Sequence, residues 1–173
     1  CVRQNPRSPS RQSPSQRHDS LDNSGHLTYP HHMSTTRPAA IVANARFYVG
    51  PDLCRHLARR GFDIVAGDAK PDLVKEIESL GVRCTSVEGG SRIEEPAANK
   101  ALVDRALDRH GRIDSAVMFS GDIITGSFLK ASLEDLRAVV NGCLEAPFHF
   151  MHAVLPIMIE AGKGSSSNAT LTR

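Results

Sequence analysis

The segment AAIVANARFYVGPDLCRHLARRGFDIVAGD, residues 39–68, decides the fold. Short apolar runs at residues 41–43 and 64–66 are typical of strands that are buried on both faces of a sheet. The intervening residues 51–60 predict a helix, because they begin with proline, keep their leucines on one face and are followed by Gly61. A strand, a helix and a second strand at this spacing predict parallel strands joined by a right-handed crossover.

The same alternation continues toward the C-terminus. Ser132 and Asp135 resemble a capping box at the start of a long helix that ends at Gly162. The sequence therefore predicts an α/β fold, a Rossmann-like doubly wound parallel sheet that is incomplete on its C-terminal side, with a ligand crevice at the carboxyl ends of strands one and four. The further predicted helices cover residues 71–80 and 96–110, and the further strands cover 82–87 and 113–119.

Both termini differ in composition from this alternating region. Residues 1–36 are rich in Pro, Ser and Arg and cannot bury enough apolar area to offset their ordering entropy, which predicts a disordered extension. We interpret most of it as lying outside the native protein, with a targeting arm or a nucleic-acid arm as alternatives. Residues 37–164 form the predicted folded domain, and residues 165–173 read as a polar, irregular tail that is a poor central strand.

Bulk composition argues against several classes of partner. A net charge of +2 gives no reason to expect nucleic acid or a membrane surface. No apolar run approaches the roughly 20 residues that span a bilayer. The four cysteines form no CxxC pair, so we expect reduced thiols in a cytoplasmic protein and no metal site.

Residues 39–164 resemble the short-chain dehydrogenase/reductase family. Where the family has Thr-Gly-x-x-x-Gly-x-Gly after its first strand, this chain has ANARFYVG at residues 43–50 and retains only Gly50. The second strand ends in Asp68, an acid where the family holds the adenosine ribose hydroxyls. Residues 115–121 lie where the family has Asn-Asn-Ala-Gly, and Gly121 is retained.

The resemblance implies a dinucleotide site at these loops. Asp68 would accept hydrogen bonds from a ribose diol and repel a 2′-phosphate, which favours NAD over NADP. Asn44 can adopt a left-handed conformation and so preserve the turn, whereas the ring of Tyr48 would lie where the family leaves room for phosphates. The implied cofactor-binding residues are Asn44, Arg46, Tyr48, Val49, Gly50, Asp68, Ser120 and Gly121.

The catalytic residues of the family are missing from the sequence. The family needs a Tyr-x-x-x-Lys pair for proton transfer, but Tyr29 is followed four residues later by Met33 and Tyr48 by Asp52. Cys143 occupies the position of the family's catalytic Asn. The resemblance thus implies an NAD(P)-dependent oxidoreductase that acts on a small alcohol or carbonyl compound, present here as a fragment that is inactive by itself.

A second interpretation stays open. The replacements within the motifs all precede the polar tail, so truncation does not explain them. On this interpretation the chain is a non-catalytic, Rossmann-like binding or dimerisation module. Its contact surface, and that of any homo-oligomer, would be the helix at residues 133–160.

Overall fold

The computed structural model describes residues 37–121 and 126–162, together with the backbone of residues 165–168. The predictions for residues 1–36 and 169–173 lie outside these described residues. Strands and helices alternate from β1 to β4, as predicted. Their bounds are β1 Ala39–Val42, α1 Gly50–Arg59, β2 Asp63–Gly67, α2 Pro71–Ser79, β3 Cys84–Val87, α3 Pro96–His110, β4 Ser115–Met118, α4 Leu133–Val140, α5 Ala146–Glu160 and β5 Ser165–Asn168, with a short 3₁₀ turn at Phe128–Lys130.

All strand pairs are parallel, and the order across the sheet is β3-β2-β1-β4-β5. The chain builds outward from β1 to β3 and then returns to place β4 on the other side of β1. In register terms, Ala40 lies between Ile64 of β2 and Ser115 of β4. The predicted Rossmann-like parallel sheet is confirmed, with its change of direction between β1 and β4.

Two apolar clusters cover the two faces of the sheet. One includes Ile41 and Val65 and packs against α3 and α5. The other includes Val42 and Ile64 and packs against α1 and α2. Because successive side chains of a strand point to opposite faces, every position of β1 and β2 is buried, which explains their unbroken apolar sequences.

The prediction of an irregular tail is wrong for Ser165–Asn168. These residues form β5, parallel to β4, with Ser165 opposite Ser115 and Asn168 opposite Met118. Side-chain propensity predicted no strand here, but a parallel ladder is made by backbone amides and carbonyls that every residue except proline supplies. The strand pattern thus extends four residues past the predicted domain boundary at residue 164.

The predicted long helix is present but is not uniformly α-helical. Its capping box is confirmed, since Asp135 N donates to Ser132 Oγ at 3.1 Å and Ser132 N donates to Asp135 Oδ2 at 2.7 Å. A π-helical turn, Asn141–Glu145, separates α4 from α5. By length and composition alone, the 28-residue helix Leu133–Glu160 is long and apolar enough to cross a membrane, although no uninterrupted apolar run within it reaches 20 residues. In the fold, one face of α5 packs in the core through Phe150, Val154 and Met158.

A buried polar cluster lies at the amino end of β2, on the side of the sheet away from the crevice. The Oδ1 atom of Asp63 accepts from the Arg83 amide at 2.8 Å, and Oδ2 accepts from Arg83 Nη2 at 2.7 Å. The Nδ1 atom of His110 lies 3.4 Å from the same Oδ2. Burial lowers the pKa of His110 below its ordinary value of 6.5, and the charge of Arg83 adds to this effect.

This cluster predicts acid sensitivity. Because the folded-state pKa of His110 lies below the unfolded value, its contribution to stability is complete above pH 6.5 and is lost as the pH falls toward the folded pKa. We expect the free energy of unfolding to decrease by at most about 1.4 kcal/mol per pH unit as the pH falls below about 6.5. Urea titrations of wild type and His110→Gln should show this slope only in the wild type. The exposed His56, replaced by Gln, is the matched control, and a slope that His110→Gln retains would contradict the assignment.

Candidate functional site

The loops that the sequence assigns to a cofactor meet at one edge of the sheet. They follow the carboxyl ends of β1, β2 and β4, which are neighbours in the sheet. The amide of Ala43 donates to the carbonyl oxygen of Val117 at 2.9 Å, and the amide of Ala45 donates to that of Gly67 at 2.9 Å. The turn after β1 is therefore tied to both neighbouring strands, at the switch point where open α/β sheets bind ligands.

Gly50 lets helix α1 approach this turn closely. A Cβ atom at Gly50 would lie 2.1 Å from the carbonyl oxygen of Asn44 and 2.9 Å from the Cα atom of Ala45. The amide of Gly50 donates to the carbonyl oxygen of Phe47 at 3.0 Å, and Pro51 has no amide hydrogen. The first positions of α1 therefore offer fewer donors to an anion than a helix N-terminus usually does.

The left-handed residue of the turn is Tyr48 and not Asn44. Tyr48 has a φ of 51°, in the left-handed region, whereas Asn44 does not have a positive φ. Instead, the Oδ1 atom of Asn44 accepts a hydrogen bond from the amide of Arg46 at 3.2 Å, which closes the turn locally. The expectation that Asn44 is left-handed is thus wrong, because its side chain, rather than its backbone, preserves the turn.

The remaining side chains of the turn face solvent. Tyr48 is 75% exposed and Val49, the residue before α1, is 44% exposed. Arg46 is also exposed, and its guanidinium carbon lies 5.3 Å from the centre of the Phe47 ring. The turn thus presents one cation and three large side chains to anything that binds over it.

Asp68 closes β2 and is bound to the loop that follows β3. Its Oδ1 atom accepts from the amide of Gly89 at 2.7 Å, and its Oδ2 atom accepts from the amide of Ser91 at 3.0 Å and from the Ser91 hydroxyl. Asp68 itself is left-handed, with a φ of 53°. Burial by itself raises the pKa of Asp68, but the hydrogen bonds from Ser91 and Gly89 and the charge of Arg46 outweigh it, so the pKa is lowered and the carboxylate is ionised at neutral pH.

Sequence reasoning found Asp68 but missed its partners. The adjacent glycines Gly89 and Gly90 after a short strand were the available signal. A Cβ atom at Gly67 would lie 1.8 Å from the carbonyl oxygen of Ala43 and 2.7 Å from the carbonyl carbon of Gly90. The backbones after β1, β2 and β3 therefore touch at this point, and no side chain fits between them.

The third loop begins after β4. Met118 and Phe119, which stand where the family resemblance implies asparagines, are buried in the apolar interior. Ser120 is half-buried, and within the part of the chain that the structure describes its hydroxyl is a buried group without a hydrogen-bond partner. Gly121 is exposed at the mouth of the crevice. The fourth predicted position, Cys143, is half-buried in the π-helical turn between α4 and α5.

Comparisons with known proteins agree with this architecture. The model of the short chain dehydrogenase family matches residues 39–169. The chain is 32% identical over 132 residues to the oxidoreductase UcpA of Escherichia coli K12, covering 75% of this chain and 49% of that protein. It is 28% identical over 134 residues to the cyclohexanol dehydrogenase of Acinetobacter sp. SE19, covering 75% of this chain and 53% of that protein.

Solved structures show the same relationship in three dimensions. A 3-oxoacyl-[acyl-carrier protein] reductase from Brucella melitensis in complex with NAD superimposes with a TM-score of 0.68 and 27% identity, covering 79% of this chain and 56% of that one. The chain thus spans about half the length of the curated relatives that it matches. The family model nevertheless covers most of the chain, from β1 through β5. The chain belongs to the short-chain dehydrogenase family.

Proposed function

We propose that this chain binds the adenosine and pyrophosphate portion of a nicotinamide dinucleotide, NAD in preference to NADP, within an oxidoreductase that acts on a small alcohol or carbonyl compound. The observation that carries the proposal is that the turn after β1 lies at the switch point between β1 and β4 and is bonded to Gly67, the residue next to Asp68 at the end of β2. When bound, such a cofactor supplies hydride transfer. The similarity to a reductase solved with NAD supports the choice of cofactor class.

The cradle fits the phosphate end of the cofactor in part. Gly50 keeps the turn against α1, so a ligand can approach the backbone of residues 46–49. The guanidinium of Arg46 is exposed beside this turn and supplies positive charge toward a pyrophosphate. Two residues weaken the fit. Pro51 lacks a backbone N–H that could donate to a phosphate, and the ring of Tyr48 occupies space over the turn.

The adenosine end rests on Asp68. Its carboxylate is ionised and half-buried, and it stands at the end of β2, next to the turn. An anion in this position attracts hydroxyl donors and repels a phosphate, which supports the preference for NAD. Ser120 and Gly121 would border the nicotinamide side of the crevice.

Catalysis by this chain alone is not part of the proposal. Its sequence contains two tyrosines, and neither is followed by a lysine four residues later. Cys143 stands where the family has an asparagine, and a thiol is a weaker hydrogen-bond donor and acceptor than an amide. We therefore assign binding to the described residues and assign proton transfer to groups that this sequence does not contain.

Binding is the direct test of the proposed function. Calorimetric titration of the chain with NAD and with NADP should give tighter binding of NAD, by about tenfold, which corresponds to about 1.4 kcal/mol. Asp68→Asn removes the negative charge and should bring the two affinities together. The exposed Asp72, replaced by Asn at the start of α2, is the matched control. Failure of both dinucleotides to bind at millimolar concentration would overturn the proposal and favour a non-catalytic module.

The second candidate function, dimerisation, rests on an apolar stripe along α4 and α5. Its members are spaced three, four or seven residues apart, and each is at least one third exposed: Leu133, Leu136, Val140, Leu144, Phe148, Leu155 and Ile159. The helix that carries it is 28 residues long, or about 42 Å. We propose a second copy of this chain as the occupant, because two such stripes match in length and form a self-complementary two-fold interface.

This dimer predicts a clear response to charge. Leu144→Glu and Phe148→Glu should convert a dimer into a monomer in sedimentation analysis, because each places a carboxylate in the centre of the apolar contact. Arg105→Glu, on the exposed side of α3, is the control and should leave the dimer unchanged. A monomeric wild type, or co-sedimentation with lipid vesicles in place of self-association, would contradict the dimer.

The buried cysteines indicate a cellular location. Cys54 and Cys84 are buried thiols, and burial raises the pKa of each to about 12, so both are unreactive. Unoxidised buried cysteines suit a reducing compartment. We propose a cytoplasmic protein whose ligands are small molecules and not nucleic acid.

A further inference from the structure

The carboxylate of Asp68 divides its hydrogen bonds unequally. Its Oδ1 atom accepts one, from the amide of Gly89, whereas its Oδ2 atom accepts two, from the amide and hydroxyl of Ser91. A carboxylate offers about four acceptor positions on its two oxygens. The described contacts therefore fill Oδ2 and leave one position on Oδ1.

The hydroxyl of Ser91 completes a second acceptor. Its one proton is given to Asp68, so the lone pairs of its Oγ atom point away from that bond. Both Ser91 and Asp68 are half-buried and reach solvent at the same edge of the sheet. A cis diol on a ribose brings two donors, and the pair supplies two acceptors beside one another.

We propose that Ser91 is a specificity-determining residue for the nucleotide, and that Ser91 Oγ and Asp68 Oδ1 accept the two hydroxyls of the adenosine ribose. This inference rests on the proposed function, and it names which atoms receive the diol. It differs from an assignment to Asp68 alone, because one oxygen of that carboxylate is already saturated by the protein.

The surroundings hold this pair rigidly. A Cβ atom at Gly90 would lie 3.0 Å from the Cα atom of Gly67, so the loop after β3 lies against the end of β2. Asp68 and Gly89 both adopt left-handed backbone conformations, with φ values of 53° and 71°. A rigid pair of acceptors keeps a fixed spacing, and this spacing allows the pair to recognise the two hydroxyls of a diol.

The same arrangement disfavours a 2′-phosphate. The Ser91 proton is already committed to Asp68, so the hydroxyl has none to give a phosphate oxygen. The nearby guanidinium of Arg92 is paired with Glu95, whose Oε1 atom lies 3.2 Å from Arg92 Nη1. At the carboxylate itself, Asp68 and Ser91 therefore present acceptors, where a phosphate needs donors.

The test measures recognition of the diol directly. Adenosine, 2′-deoxyadenosine and NAD are titrated into wild type, Ser91→Ala and Ser91→Thr. We expect Ser91→Ala to weaken NAD about tenfold and to reduce the preference for adenosine over its deoxy analogue, and we expect Ser91→Thr, which keeps the hydroxyl, to restore both. Ser86→Ala, which removes an exposed hydroxyl from β3, is the matched control and should change neither.

A purely structural role for Ser91 gives a different result. It would lower the melting temperature of Ser91→Ala and weaken adenosine and 2′-deoxyadenosine by the same factor, with the preference intact, and that outcome overturns the inference. If the wild type binds NAD and Ser91→Ala binds it equally well, the inference fails while the proposed function stands. If the wild type binds neither NAD nor adenosine, both fail.

Discussion

Gly67→Ala is expected to lower the free energy of unfolding by about 3 kcal/mol, a large part of the stability of a domain of this size. The added Cβ would lie 1.8 Å from the carbonyl oxygen of Ala43 and 2.7 Å from the carbonyl carbon of Gly90. Both neighbours are backbone atoms in adjoining strand ends, so neither can rotate away as a side chain would. Relief requires β1 and β2, or the loop after β3, to separate.

Urea unfolding followed by circular dichroism measures this effect. Gly61→Ala is the matched control, because its Cβ would meet nothing within 4 Å while its φ of 85° still strains an alanine. We expect the control to cost about 1 kcal/mol from backbone strain alone. Equal losses in the two variants would show that the contact between the strand ends is looser than the structure indicates.

Tyr48→Gly is expected to act in the opposite direction, raising both stability and affinity for the dinucleotide. A left-handed conformation costs a non-glycine residue about 1 kcal/mol or more, and glycine removes that cost. Removing the ring also clears the approach to the turn after β1. We expect about 1 kcal/mol of added stability and about tenfold tighter NAD, measured by urea unfolding and by calorimetry.

Tyr48→Ala separates the two causes. It removes the ring but keeps the strained backbone, so it should gain affinity without gaining stability. Weaker NAD binding in both variants would contradict the prediction and would mean that the Tyr48 ring contacts the ligand favourably. Improved stability in Tyr48→Ala would show that the exposed ring itself, at 75% exposure, is unfavourable in the folded chain.

The sheet could be predicted from the sequence because strands that are buried on both faces have continuously apolar sequences. The runs around Ile41 and Ile64 are continuously apolar, and the helices α1 and α2 have a proline in their first turn and are followed closely by a glycine. Gly111, for example, follows α3 with a φ of 69°, as its position after His110 predicts. In this part of the chain, each residue type has one dominant physical reason for its position: burial for the apolar residues, and the start or end of a helix for proline and glycine.

The rest of the fold and of the site could not be predicted, because it depends on contacts that the residue types do not indicate. Ser165–Asn168 pair with β4 through their backbone, so their four polar residue types gave no indication of a strand. The bond between Asp68 and Ser91 joins residues 23 positions apart in loops whose sequences show no period. At Tyr48 the sequence suggested a large side chain in the wrong place, but only the structure shows that this residue carries the left-handed turn. The sequence shows that the stripe on α4 and α5 is apolar. Its exposure to solvent could not be predicted, because it depends on which face of the helix packs against the sheet.

The π-helical turn at Asn141–Glu145 has a consequence for the way this helix can change over evolutionary time. A π turn is in effect one residue inserted into an α-helix and retained by the fold. Deleting any one residue there would restore a regular helix without breaking the chain path. Because the π turn absorbs the extra residue by turning less per residue than the roughly 100° of an α-helix, the deletion would leave α4 and α5 in nearly the same relative orientation. A single codon can thus be lost here while Leu133 and Leu136 keep their direction, which makes this turn a place where the length of the chain can change without altering the outer surface or the core.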